Sequence, residues 1–303
     1  MAVPAVLLMA YGAADSLAEI PAYLADILNP RPVPDGLVAQ VRERYQKIGG
    51  RSPLKDITSQ QACALQERLG ESARVFVGMR HSAPWIKDVC QEIIAAGHNE
   101  IIALPLTPFM SKMSVGAYME RLHEAVAGAA VTVHEVPGWH TDAQLIAAYC
   151  AKIQEAQSAV SPSARSGLRL LLTAHSLPER ILAVGDPYPA QLAETAELVA
   201  AQAGFEQFDF AYQSAGGGGR VAWLGPAADS VIERLAQEGA RSVLLSPIGF
   251  VSEHMETLYD DDVLYREQAE RLGLKFYRAA ALNDHPDFIS ALERGVRSVP
   301  VFS

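Results

Sequence analysis

Short apolar runs alternate with longer amphipathic stretches along almost the whole chain. Val3–Met9, Val75–Met79, Ile101–Leu106, Val131–Val136, Leu168–Thr173, Phe208–Gln213, Ser242–Ile248 and Lys275–Arg278 are brief runs dominated by apolar residues, which predicts strands. Between them, Ser16–Leu28, Gly36–Ile48, Ile57–Leu69, Pro84–Ala96, Ala143–Ala156, Pro189–Ala203, Ala228–Gln237 and Glu256–Leu272 repeat apolar positions at helical spacing. A last helix is predicted over Asp287–Val296. Strands that are apolar throughout are buried on both faces. Joined by helices, they read as parallel sheets with helices on each side.

The pattern repeats once. LLMAYGA at Leu7–Ala13 echoes LLTAHSL at Leu171–Leu177, with Tyr11 and His175 in the same place just past a strand. Further on, PLTPFMSKMS echoes SPIGFVSEHME, and aligning Phe109 with Phe250 also aligns Ser111 with Ser252 and Tyr118 with Tyr259. The shared order predicts an α/β fold of two similar Rossmann-like domains, residues 1–160 and 161–303. The Ser-, Ala- and Pro-rich segment Ser158–Ser166 reads as the join, and the final helix as packing back on the first domain. Ligands of open α/β sheets bind outside the carboxyl ends of the strands. Two facing halves would bring the Tyr11 and His175 loops to one cleft.

Composition narrows the function classes. Half of the 303 residues are hydrophobic and 20% are charged, an ordinary globular balance with enough apolar residues for a large core. A formal net charge of -10 repels nucleic acid and anionic membranes, so an anionic ligand needs a local basic patch. MAVPAVLLMAYG lacks the basic start and cleavage site of a signal peptide and reads as a buried strand. No apolar run approaches the length of about 18 needed to span a bilayer, so the expectation is a cytoplasmic protein with no membrane anchor. Cys63, Cys90 and Cys150 are scattered over helical patterns and are expected as buried reduced thiols. Three cysteines cannot complete a four-cysteine iron–sulfur site, so no such cluster is expected.

Four features carry chemistry. His175 in TAHSLPER follows a strand directly, where an imidazole can accept a proton or ligate a metal, or simply cap a turn. Glu256 in SEHMETLYDDD begins a helix, which suits a carboxylate by macrodipole alone; with Asp260, four residues on, it also offers hard oxygen ligands on one helical face. The run Asp260–Asp262 otherwise reads as a solvated face. Tyr11 is either a phenolate ligand to iron or a half-buried aromatic. Arg31, Arg42, Arg44, Lys47, Arg51 and Lys55 form a basic cluster opposed within its span only by Asp35 and Glu43. It is either a carboxylate-binding patch or a solubilising surface. AGGGGR at Ala215–Arg220 lacks both the P-loop ending and the last glycine of the dinucleotide fingerprint, and reads as a mobile loop.

Taken together, several segments resemble the ferrochelatase family over nearly the whole chain. They are MAYG at Met9–Gly12, RYQKIGGRSPL at Arg44–Leu54, Ser114–Tyr118, AHSLPER at Ala174–Arg180, GDPYPAQL at Gly185–Leu192, Gln213–Ser214, WLGP at Trp223–Pro226 and PIGFVSEHMETLYD at Pro247–Asp260. The resemblance implies two chelatase-type domains with a porphyrin cleft between them and His175 and Glu256 as the catalytic pair. The histidine in such enzymes either ligates incoming iron or removes pyrrole protons. MAYG is similar to the branch that metallates coproporphyrin III, in which the tyrosine matching Tyr11 ligates the product iron. Arg44, Tyr45, Ser52 and Tyr118 match positions that meet propionates, and Arg31 is expected to join them. Asp260 is the outer candidate for metal. The implied partners are coproporphyrin III, or protoporphyrin IX in the alternative branch, and ferrous iron as substrate. No permanently bound cofactor is expected, and contact with neighbouring haem-pathway enzymes would be transient.

Some positions depart from the family pattern. Ala13 and Ala14 follow MAYG in place of Thr-Pro, Arg80 precedes His81 in place of lysine, and Leu264 stands where a further acid continues the Glu256 helix. A chelatase for another metal or tetrapyrrole, a dinucleotide-dependent oxidoreductase and a haem- or iron-carrying binding protein are the competing readings. The missing glycine fingerprint counts against the oxidoreductase and the absent signal sequence against an exported carrier.

Overall fold

Strand β1 (Ala5–Ala10) is buried at every residue, as its unbroken apolar run requires. In the computed structural model, which describes residues 3–216 and 221–302, it lies inside a four-stranded parallel sheet. Helices α1 (Ile20–Leu28), α2 (Leu37–Lys47) and α3 (Leu54–Leu69) follow it, then β2 (Arg74–Met79), α4 (Ile86–Ala95), β3 (Glu100–Pro105), α5 (Ala117–Ala125) and β4 (Thr132–Glu135). The sheet order is β2-β1-β3-β4. Side chains alternate across a strand. Ala5, Leu7 and Met9 therefore enter one core with Ile86, Val89 and Ile93 of α4 and Tyr118 and Leu122 of α5. Val6 and Leu8, equally buried, face the other layer. The C-terminal helix Pro286–Arg297 packs against α3 and β3 of this unit. Gln61 Nε2 donates to the Asn283 carbonyl at 2.9 Å, and Arg68 Nη2 to that of Pro286 at 3.1 Å.

The second unit repeats the plan. Helix α6 (Ala143–Ser158) and the short α7 (Pro162–Arg165) precede β5 (Leu168–His175), α8 (Tyr188–Gln202), β6 (Phe208–Gln213), α9 (Ala228–Gln237) and β7 (Ser242–Ser246). A π-helical segment Thr257–Tyr265, α10 (Arg266–Arg271) and β8 (Lys275–Arg278) complete it. The order β6-β5-β7-β8, all parallel, is the first sheet's order renewed. The two parallel sheets flanked by helices, predicted from the alternating pattern, are thus present.

Several details differ from the sequence reading. The chain divides into Met1–Trp139 with Asn283–Ser303, and His140–Leu282, so the border lies ahead of α6 rather than at residue 160. The reason is packing. α6 lies on α8, β7 and β8, and Tyr149 Oη donates to the Ile248 carbonyl at 2.6 Å. Ser158–Ser166 is accordingly no open linker: Ala164 is buried and its carbonyl accepts from Ser242 Oγ at 2.7 Å. Ala117–Ala125, given no element by the pattern, is a helix that buries Tyr118, Met119 and Leu122. Cys63 is exposed, because it lies off the α3 stripe formed by Ile57, Thr58, Gln61 and Leu65. Cys90 and Cys150 are buried, and burial pushes both thiols up to about 11, which keeps them unreactive. Among the described residues no helix is long and apolar enough to cross a membrane. Of the glycine loop, Gly217–Arg220 lie outside the described residues; at Gly216 a side chain would collide with the Trp223 ring.

Candidate active site

In the second unit the strand β5 ends on His175, whose backbone is still paired with Gln213 of β6. The Nδ1–H of His175 donates to the Ser176 carbonyl, with the two atoms 2.5 Å apart, which turns Nε2 outward. Tyr188 Oη donates to the His175 carbonyl at 2.9 Å and steadies the strand end. Nε2 lies 3.5 Å from Glu256 Oε1, and His254 Nε2 lies 3.5 Å from Glu256 Oε2. One carboxylate therefore stands between two imidazoles. The Phe250 ring packs beside both, 6.3 Å from His175 and 4.7 Å from His254. His175 and Glu256 remain 33% and 27% exposed, so they form an accessible pair and not a core contact.

Glycine 249 makes this approach possible. A Cβ there would fall 2.5 Å from the Ala174 Cβ, so the loop after β7 can lie against β5 only with no side chain at that point. The loop and its π-helix are then fastened from behind. Arg278 donates to Asp262 through Nε at 2.8 Å and Nη2 at 2.7 Å, and to Glu253 through Nη1 at 2.7 Å. Glu253 also accepts from the Ala281 N–H at 2.9 Å and from Thr257 Oγ1 at 2.7 Å. A π-helix, with its i→i+5 bonding, is rare and is frequently found at functional sites.

Charge sets the protonation of the pair. Burial alone would lower His175, but the charge and hydrogen bond of Glu256, the Ser176 carbonyl and the charge of Asp260 together raise it to about 9. Burial would raise Glu256, yet His175 and His254 hold it well below the usual carboxylate range. The resting pair is an imidazolium against a carboxylate.

The acidic run is no solvated face. Asp260 is buried and accepts from Ser214 Oγ at 2.5 Å. Asp261 is fully buried and accepts from Gln213 Nε2 at 2.9 Å; burial is the main cause that lifts its carboxyl well above the ordinary value. These contacts tie the π-helix to β6, the neighbour of His175. Among the described residues no group of three or more His, Cys, Asp or Glu side chains is arranged to hold a metal ion.

In the first unit Tyr11 follows β1 directly and is 42% exposed. Its loop is anchored on several sides. The His81 N–H donates to the Tyr11 carbonyl at 2.9 Å, Tyr23 Oη to that of Gly12 at 3.1 Å, and the Ala13 N–H to Ser82 Oγ at 3.2 Å. Gly12 has φ +95° and lies too close to Ser82 for any side chain. The Tyr11 ring lies 4.5 Å from the buried His81 ring, whose Nδ1 is 2.6 Å from Asp26 Oδ2. Arg80 sits near the rings of both Tyr11, at 5.9 Å, and Tyr118, at 6.0 Å. Tyr118 is buried and burial lifts its hydroxyl further, so it stays a neutral donor.

The remaining predicted residues fall into two groups. Tyr45 and Ser52 are buried: Tyr45 Oη accepts from the Ala14 N–H at 3.2 Å, and the Ser52 N–H donates to the Ala14 carbonyl at 3.5 Å. They support the Tyr11 loop from within, where the sequence reading had them meet a ligand. In the basic cluster Arg51 pairs with Asp56, and Lys55 with Asp15 at 2.7 Å, so acids from outside the cluster's densest stretch offset part of its charge. Arg31 is exposed and Arg44 half-buried. The sequence reading gave no role to His254, Tyr188 or Gly249. Only the histidine carries a readable signal, standing two residues before Glu256 in SEHMET.

The family model described as Ferrochelatase matches residues 3–299. A protein of Deinococcus radiodurans named Ferrochelatase is 38% identical over 294 residues, covering 95% of this chain and 93% of that one. A protein of Anoxybacillus flavithermus named Coproporphyrin III ferrochelatase is 37% identical over 295 residues, covering 94% and 93%. Among solved structures, SirB from Bacillus subtilis with Fe3+ superimposes with a TM-score of 0.64 at 12% identity, covering 97% of this chain and 94% of that one, a likeness of fold alone.

Proposed function

The chain belongs to the ferrochelatase family, metal chelatases that insert a metal into a porphyrin, and on that premise we propose that its substrates are ferrous iron and coproporphyrin III and its product coproheme. The observation that carries the chemistry is the half-buried, accessible His175–Glu256 pair. A free-base porphyrin carries two pyrrolic N–H groups whose protons must leave as the metal enters. His175 in its neutral form, with Nδ1–H engaged by Ser176 and Nε2 outward, accepts one of them. Glu256 makes that imidazole a stronger base and offsets the positive charge it gains. The carboxylate, set between His175 and His254, is also the group we assign to meet the incoming cation, with Asp260 behind it as an outer acid. Iron is substrate here; no resident cofactor and no iron–sulfur cluster is proposed.

Support for the four-propionate substrate comes from the first unit and from relatives. Tyr11 is exposed on an anchored loop, as a ligand to the product iron needs to be. Arg31, Arg44 and Tyr118 are assigned to propionates, with Tyr45 and Ser52 acting by holding the Tyr11 loop. Relatives at 37% and 35% identity are named for coproporphyrin III. A water-soluble tetracarboxylate also suits a cytoplasmic enzyme, the location we propose. The test offers coproporphyrin III and protoporphyrin IX with ferrous iron, without detergent, and compares initial rates. Faster metallation of coproporphyrin III is expected. Equal rates, or faster protoporphyrin IX, contradict the assignment. Arg44→Ala should weaken coproporphyrin III more than a porphyrin with two propionates.

A further inference from the structure

A cavity of about 420 Å³ opens in the first unit, outside the Tyr11 loop, between α1, the end of β2, the start of α4 and α5. Arg80, Lys87, Arg121 and Trp85 line it. None of the three cations makes an ion pair or a side-chain hydrogen bond with another described residue. Arg80 is the telling case. Its Nε is buried with no hydrogen-bond partner among the described residues, and its guanidinium lies over the rings of Tyr11 and Tyr118. Stacked rings fix the plane of a guanidinium but do not satisfy its N–H donors. A buried, charged donor left unpaired is costly, and native structures rarely keep one without a reason.

Acids also face the cavity. Asp26 is held by His81 at 2.6 Å, and Asp88 and Glu124 complete the charged lining. The lining is therefore close to neutral in sum. Directed donors, rather than a broad positive field, would hold a ligand there, which favours a planar monoanion over a phosphate dianion. The planar fork of arginine matches a carboxylate in two parallel hydrogen bonds.

We propose that this cavity is a carboxylate-binding site, with the unpaired fork of Arg80 as its recognition group and Lys87 and Arg121 as supporting cations. The carboxylate is either a propionate of the porphyrin or a free small carboxylate. The first source rests on the substrate assigned above and makes Arg80 a specificity residue for it. Arg80 neither moves protons nor binds iron in this proposal.

The arginine Nε–H resonances of the full chain report directly on the unpaired donor. The Arg80 signal is the one absent from Arg80→Lys, and it is followed by nitrogen-15 NMR on adding citrate alone or coproporphyrin III alone. A shift with coproporphyrin III identifies a propionate, and a shift with citrate identifies a free carboxylate; either supports the site. In a porphyrin titration Arg80→Gln should bind coproporphyrin III about tenfold or more weakly, the scale of one lost charged hydrogen bond, with Arg80→Lys recovering part. A silent Arg80 signal with both ligands, together with unchanged porphyrin affinity in Arg80→Gln, overturns the proposal. Equal metallation rates for the two porphyrins would defeat the substrate assignment while leaving an Arg80 response to citrate intact, so the two failures are separable.

Discussion

The two units share one plan and divide the chemistry. Each has four parallel strands in the same order, a functional side chain at the end of its first strand, and a π-helical segment after its third. The residues on that plan differ. Where β1 leads into Tyr11, β5 ends on His175. With Ser111 matched to Ser252 and Tyr118 to Tyr259, the second unit has His254, Glu256, Asp260, Asp261 and Asp262 where the first has Met113, Val115, Met119, Glu120 and Arg121. In the functions proposed above, the second unit handles protons and cations and the first meets aromatic and carboxylate groups. The lesson is that the duplicated scaffold positions a site without choosing its chemistry.

The largest way to break this contrast is His175→Ala. Iron insertion should fall by about a hundredfold to ten-thousandfold, the range for loss of a general base, while porphyrin binding measured by absorbance titration survives. Near-normal turnover in that variant would remove the second unit's special role. A smaller effect concerns what holds each helical segment. Arg278 is 11% exposed and joins Glu253 and Asp262, so Arg278→Ala should cost about 3 kcal/mol in denaturant unfolding, since it removes the cation from the buried Glu253 and one of the two arginines from Asp262. In the counterpart region of the first unit Arg121 has no ion pair among the described residues, and Arg121→Gln should change stability by no more than about 0.5 kcal/mol. Similar losses from both would erase the distinction. The smallest effect on rate is expected for Tyr11→Phe. Insertion should stay within about tenfold of the parent, less than a lost base would cost, while the oxidised product loses any phenolate-to-iron absorption band. A Tyr11→Phe enzyme as inactive as His175→Ala would place the base in the first unit.

How much of this was legible beforehand varied with the kind of signal. Uninterrupted apolar runs such as Leu7–Met9 and Leu170–Leu172 announced doubly covered parallel strands, because burial on both faces leaves no room for alternation. The position of His175 followed from the strand that carries it. The partners of His175 were less legible. Glu256 reaches His175 because the loop after β7 folds over β5 at Gly249, a contact between segments far apart in the chain, and His254 arrives on the same loop. Asp260–Asp262 looked like a surface run because a local pattern cannot display Gln213, Ser214 and Arg278, the distant groups that pair with it. The border between the units was misread for a similar reason. Composition marked Ser158–Ser166, whereas α6 is assigned by what it packs against. That Tyr45 and Ser52 are buried beside the Tyr11 loop was not legible, because their partner Ala14 lies about thirty residues or more away in the chain.

The proposed chemistry depends on Glu256 setting the proton affinity of His175. That interaction favours the imidazolium, so its contribution to stability is complete below the ordinary histidine value of 6.5 and is lost as pH rises through about 9. Proton acceptance needs the opposite form. Iron insertion by the parent enzyme should therefore climb with pH toward about 9, and Glu256→Gln, besides being slower, should reach its plateau at much lower pH, near or below 6.5. The pH–rate profile of these two proteins is the most direct test. A displaced limb supports the pair as the working unit; identical limbs in the two profiles contradict it.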